Sequence, residues 1–232
     1  MEEDRGIKIS PKYYQNDWRK LNLNSNIQKD WEQAIDIFKD RMEGRYIKQI
    51  EVLDKNENRE IGLYSGYAIM SLICLFIETI EQFWNGNIKN ARNYSSAKCL
   101  FSPHFLGKRK EKNQISNDAV TFWNFFQRSP ELKKFFHNQE AANVFYKSFR
   151  CGLLHSGQTK GKSLIHIRKD EPILRWIDKN NINDGISIHR RLFFDEVLKV
   201  YNNFIEDLEK PHNLNFRKKT LMKKMNFIVE QK

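Results

Sequence analysis

An arginine and a histidine close an apolar run near the middle of the chain, Phe149-Arg150-Cys151-Gly152-Leu153-Leu154-His155-Ser156-Gly157. Histidine exchanges a proton near neutral pH, so it can act as base or acid. Arginine is permanently charged and can hold a phosphate through two parallel hydrogen bonds. Together the two side chains are sufficient for metal-free cleavage of RNA. No other stretch carries chemistry this specific. His104, His137, His166, His189 and His212 have no spacing that suggests ligands or a triad. Cys74, Cys99 and Cys151 form no Cys-x-x-Cys or Cys/His cluster, so neither a metal site nor a cofactor is expected. Three scattered cysteines fit a reducing cytoplasm. Cys151 beside Arg150 and His155 is a candidate nucleophile, against the plainer reading of a packed, inert thiol.

The element that must position the pair is a helix. Ser129-Pro130-Glu131 is a helix start: serine caps, proline suits the first turn, and the acid favours the positive end of the helix. Leu132, Phe135, Phe136, Val144, Phe145 and Phe149 carry an apolar face toward Leu153, and Gly157 is the expected stop. Arg150 and His155 then fall in the last turn or two. Five residues of unbroken α-helix advance about 7.5 Å and rotate a net of about 140°, so the two side chains do not share a face. The reach of arginine, or a helix that tightens or ends before His155, has to bring them together. One pair is a sparse site, and two pairs across a two-fold axis make a fuller one.

Elsewhere the pattern is helical too. Trp31, Ile35, Phe38 and Met42 recur at helical spacing, predicting a helix from Ile27 to about Lys48, capped by Ser25 or Asn26. Residues 1–26 read as irregular, and 54–60 as a polar loop. Ser65 to Trp84 is the strongest helix, with Ile69, Leu72, Ile73, Phe76, Ile80 and Phe83 in one stripe, Glu78 beside it and Gly86 at its end. The apolar stretch Ala68–Ile77 is too short for a membrane span, which needs about 20 residues, so a core helix and no membrane partner are expected. The acidic start, Met1-Glu2-Glu3-Asp4, is unlike a signal peptide. A long connection over 87–113, with a short helix near 91–99, leads to an aromatic-rich helix at Asp118–Gln127. After Gly161 the period changes to two. Strands are predicted near 164–168, 173–177 and 186–189, with Asn183-Asp184-Gly185 as a turn, forming a small antiparallel insert. A last long helix spans about Phe193–Leu208. The class is mainly all-α. The organisation reads as an N-terminal helical extension (1–60), a helical domain (61–210, insert about 163–190) and a basic tail (211–232).

The stretch Arg150-Cys-Gly-Leu-Leu-His155, late in a long helix and preceded by the acidic helix of Glu78 and Glu81, resembles the signature of the HEPN superfamily: arginine, four to six residues, histidine. The resemblance covers roughly residues 60–210. It implies a helical bundle, a homodimer with both motifs at the interface, and metal-independent endoribonuclease activity in toxin–antitoxin, phage-defence or RNA-processing systems. On that resemblance the RNA 2′-OH attacks the adjacent phosphate, His155 is general base or acid, and Arg150 stabilises charge on the phosphoryl oxygens. Glu78 would pair with Arg150 and orient it. The chain departs from the pattern twice. Cys151 stands where active members often carry Asn, Asp or His, and Gly157 stands where a subgroup modified by nucleotidyltransferase antitoxins carries Tyr.

The formal net charge of +11, from 40 Lys+Arg against 29 Asp+Glu, points to a polyanionic partner. RNA, as tRNA or mRNA, is the expected one, with an antitoxin or defence-system protein as a further partner. Candidate phosphate contacts are Lys108, Arg109, Lys110, Lys160 and Lys162, and in the tail Arg217, Lys218 and Lys219. Leu214, Leu221, Met225 and Ile228 can form one face of a tail helix that either meets RNA or docks on the body. Three alternatives stay open: Arg150 and His155 as plain caps of a helix C-terminus, a non-catalytic module that binds RNA, nucleotide or protein, and a helical scaffold with incidental charge.

Overall fold

The computed structural model describes residues 5–25, 27–56, 59–86, 117–210 and 216–230. The fold is mainly helical with a small three-stranded sheet, the predicted class. In chain order the helices are α1 (Gln15–Arg19), α2 (Gln28–Met42), α3 (Lys48–Asp54), α4 (Arg59–Tyr64), α5 (Gly66–Asn85), α6 (Asn117–Phe126), α7 (Pro130–Phe135), α8 (Gln139–Phe145), α9 (Gly152–Ser156), α10 (Arg190–Glu209) and α11 (Phe216–Glu230). Strands β1 (Leu164–His166), β2 (Leu174–Trp176) and β3 (Ile186–His189) lie between α9 and α10.

Helix α5 is the hub. Ile69, Ile73, Phe76, Ile80 and Phe83 are buried on it, and so are Met70, Ile77 and Trp84. A helix apolar on nearly every side has to be surrounded. It packs against α3, α6, α10 and α11, and it touches β1. It is long and apolar enough to cross a membrane, yet here it lies in the core. Phe38 of α2 meets Phe83 edge-on at 4.7 Å and Phe204 of α10 at 5.6 Å. The stretches set apart as 1–60, 61–210 and 211–232 therefore share one hydrophobic core among the described residues.

Several sequence expectations change in detail. The helix predicted from Ile27 runs on to Asp54 through a π-turn at Glu43–Ile47, and its cap residue Ile27 makes no side-chain cap. The supposed loop at 54–60 already contains the start of α4, and the irregular N-terminus holds α1. The insert is mixed rather than wholly antiparallel: β3 is central, antiparallel to β2 and parallel to β1. Period-two patterning specifies strands but not their direction, because the same alternation suits either pairing. The tail helix is docked. Leu221, Met225 and Val229 are buried, and α11 lies on α5 and α10. The connection at 87–113, with its short helix near 91–99, and Leu214 of the tail lie outside the described residues.

The motif helix differs most. It begins as predicted, with Ser129 Oγ accepting from the Leu132 amide, but α7 stops at Phe135. Asn138 caps a fresh start by accepting from the Ala141 amide. The helix then widens into a second π-turn, Tyr146–Cys151, and recovers α geometry as α9. Gly157 ends it in the left-handed region, φ 64°, as predicted.

Candidate functional site

Arg150 lies inside the second π-turn and faces α5. Its Nε donates to Glu78 Oε1 at 2.9 Å. The side chains keep 24% and 17% of their exposure, so the pair sits at the rim of the core with some access to solvent. Only one of the five guanidinium N–H groups is used in that bond, and among the described residues the two terminal nitrogens make no hydrogen bond. A carboxylate thus grips the arginine at its base and leaves the fork available. Burial pushes the Glu78 carboxyl above its ordinary range and nearby Asp118 adds to this, while Arg150 pulls the other way. Burial alone would lower Arg150, but the Glu78 charge outweighs it and holds the guanidinium firmly protonated.

A π-turn is a one-residue insertion in a helix, and it frees a carbonyl from the i→i+4 ladder. Here the Ser148 carbonyl accepts from the Lys160 amide at 3.0 Å, so the chain returning after Gly157 is tied under the turn. Gly152 permits that approach. A Cβ there would lie 2.6 Å from the Gln158 carbonyl oxygen and 3.2 Å from the Lys160 nitrogen. The Gly-Leu-Leu interior of the motif is therefore partly a packing requirement.

His155 sits on α9, exposed and with no hydrogen-bond partner among the described residues. Neither Arg150 nor His155 bonds a helix carbonyl among those residues, so the capping alternative receives no support from the geometry. The π-turn also changes the angular bookkeeping of the motif, since a wider turn rotates less per residue than the about 100° of an α-helix.

Two residues of the site were not read from the sequence. Tyr146 opens the π-turn, four residues before Arg150, and its hydroxyl donates to Asp118 Oδ2 of α6 at 3.0 Å. The Arg150 guanidinium carbon lies 5.9 Å from the Tyr146 ring centre. The i, i+4 spacing was a usable signal for Tyr146, whereas nothing local marks Asp118. Cys151 is half-buried beside Tyr146, and Cys74 is fully buried beneath, its thiol pushed up by burial and by Glu78.

The predicted phosphate contacts divide. Lys160 is exposed on the return loop next to Gly152, hence close to the motif. Lys162 pairs with Asp184 at 2.8 Å. Lys219 is exposed on α11. Arg217 and Lys218 turn inward, as the docked one of the two tail readings requires. Arg217 donates to the Trp84 carbonyl at 2.8 Å and stacks on that ring at 4.4 Å, with Arg128 also over it at 4.2 Å. Lys218 is buried, its ammonium 5.4 Å from the Trp31 ring centre. The physical reason is the docking of α11: a helix buried on one side carries its long basic side chains along the core surface. Lys108, Arg109 and Lys110 lie outside the described residues. No group of three or more metal-binding side chains occurs among the described residues.

Comparison of the chain with protein-family models, with curated proteins and with solved structures gives no match, so its reading rests on the residues and their geometry.

Proposed function

We propose that this protein is a metal-independent endoribonuclease of HEPN type, with Arg150 and His155 as its catalytic residues and Glu78 as the anchor of Arg150. The observation that carries the reading is the guanidinium held at Nε by Glu78, with its terminal nitrogens unbonded among the described residues, one turn before an exposed histidine. A preorganised donor aimed at developing charge stabilises a phosphoryl transition state more than a mobile one does. In the reaction the 2′-oxygen bonds to phosphorus and the bond to the 5′-oxygen breaks. One histidine takes the 2′-OH proton and a proton is delivered to the leaving oxygen. The products carry a 2′,3′-cyclic phosphate and a 5′-OH. Base and acid acting together need two histidines, which a homodimer supplies. Tyr67 of α5, Leu154 of α9 and Leu164 of β1 are exposed apolar residues, and α5 contacts both α9 and β1, which supports such an interface. A cytoplasmic location, a role as toxin or phage-defence effector, and an antitoxin or defence partner belong to the same proposal.

The test is incubation of the purified protein with total RNA and labelled tRNA in EDTA, beside His155→Ala and Arg150→Ala. Cleavage by the wild type that is lost in both variants and leaves cyclic phosphate ends is the expected result. Intact RNA with folded, dimeric protein would favour the competing reading, a non-catalytic module that binds RNA, nucleotide or a partner protein. The observation on its side is Cys151, a thiol at the position that follows the arginine.

A further inference from the structure

We infer that Tyr146, fixed by Asp118, is a positioning residue for Arg150 and holds the π-turn from which the guanidinium is presented. This deepens the proposed endoribonuclease site and rests on that reading for its catalytic consequence, though its structural content stands separately.

The argument starts from the cost of a π-turn. It is less stable than the α-helix that the same residues could form, so it persists only where outside contacts hold it. Three contacts do so here. The Lys160 amide takes the Ser148 carbonyl in the middle of the turn. Glu78 of α5 takes Arg150 near its end. Asp118 of α6 takes Tyr146 at its first residue. The turn is thus pinned to two neighbouring helices by two acids, one at each end. Burial, Cys151 and the Asp118 charge all push the Tyr146 hydroxyl upward, so it remains a donor throughout the physiological range. Tyr146 keeps 9% of its exposure and its hydroxyl is taken up by Asp118, so its role runs through Arg150. Without its hydroxyl the first residue of the turn loses its fixed point. The backbone can then relax toward α geometry, which rotates Arg150 off Glu78.

Tyr146→Phe tests this, because it keeps the ring and removes only the bond to Asp118. The first readout needs no substrate: the Nε–H resonance of Arg150 in a ¹⁵N spectrum, assigned by its loss in Arg150→Lys and perturbed in Glu78→Ala. In Tyr146→Phe and in Asp118→Ala this resonance is expected to shift and exchange faster with water, while amides outside the 146–152 stretch stay in place. The second readout is RNA cleavage, where kcat is expected to fall about five- to tenfold, the worth of one hydrogen bond, with KM unchanged. An Arg150 Nε–H signal in Tyr146→Phe identical to the wild type would overturn the inference, whatever the cleavage rate. A wild type that cleaves no RNA, with the Nε–H signal responding as expected, would instead remove the nuclease reading and leave the positioning role of Tyr146 standing. Should Asp118→Ala fold poorly, Tyr146→Phe alone decides.

Discussion

Arg150 joins the proposed chemistry to the stability of the fold. Its loss leaves Glu78 near the core without a counter-charge. Burial already raises the Glu78 carboxyl, and a group raised on folding favours the folded state most below its unfolded value, with that contribution lost as pH rises through the folded one. Arg150→Ala should therefore cost more at pH 7.5, where the carboxylate must be ionised, than at pH 4, where it can take a proton. The loss at pH 7.5 is expected at about 2 kcal/mol, below the range for fully buried pairs because both side chains keep some solvent. Thermal unfolding of wild type and variant at the two pH values checks it, and an equal loss at both would contradict the argument. Gly152 makes a second residue-level case. Gly152→Ala drives a methyl to within 2.6 Å of the Gln158 carbonyl oxygen, a backbone atom with little freedom to move. Urea unfolding should show a loss of about 1–3 kcal/mol, the usual range for overpacking.

Single elements explain why the motif helix is not the continuous rod its apolar pattern suggested. Phe135 and Phe136 meet at 5.0 Å, and Phe126 stacks on Phe136 at 4.0 Å, so the break after α7 is filled by aromatic packing. Ser129 anchors the start of that segment twice: it accepts from the Leu132 amide and donates to Glu196 Oε2 at 2.7 Å. Burial alone would raise the Glu196 carboxyl, but hydrogen bonds from Lys199 and Ser129 outweigh it and hold the group below its ordinary value. The stabilisation is then present above the unfolded value and lost as pH falls through the folded one. Ser129→Ala should cost about 1–2 kcal/mol at pH 7 from the lost cap, with the share owed to Glu196 lost as pH falls through its lowered folded value, below the ordinary carboxyl range. Melting curves from neutral pH down through that value separate the two parts.

Across the whole molecule, the docking of α11 changes what the basic charge can do. Removing residues 216–230 should destabilise the fold by several kcal/mol, since Leu221, Met225 and Val229 each bury an apolar side chain worth about 1.5–3 kcal/mol. A tail that served only as an RNA arm would leave the melting temperature unchanged on truncation. On the proposed function, RNA binding should instead depend on exposed cations near the motif. Lys160→Ala is expected to weaken binding and reduce the slope of log K against log salt by about one contact's worth. Lys218→Ala, by contrast, should act on stability, because its ammonium is buried beside Trp31. Filter binding over a salt series measures the first and thermal unfolding the second.

The helical class, the start at Ser129-Pro130, the stops at Gly86 and Gly157 and the place of Arg150 and His155 near a helix end were all legible in the chain. Each follows from interactions within a few residues: apolar period, side-chain caps and the freedom of glycine at positive φ. The pairing of Arg150 with Glu78 joins positions 72 apart, and that of Tyr146 with Asp118 joins positions 28 apart. Nothing in local spacing selects those partners. The π-turn has the same origin, since its cost is offset by a carbonyl bond to a returning loop that no short window contains. The inward turn of Arg217 and Lys218 depends likewise on a docking surface built by α5 and α10. Long-range packing chose the partners of the charged groups, because their attraction has force only where other elements have displaced the water between them.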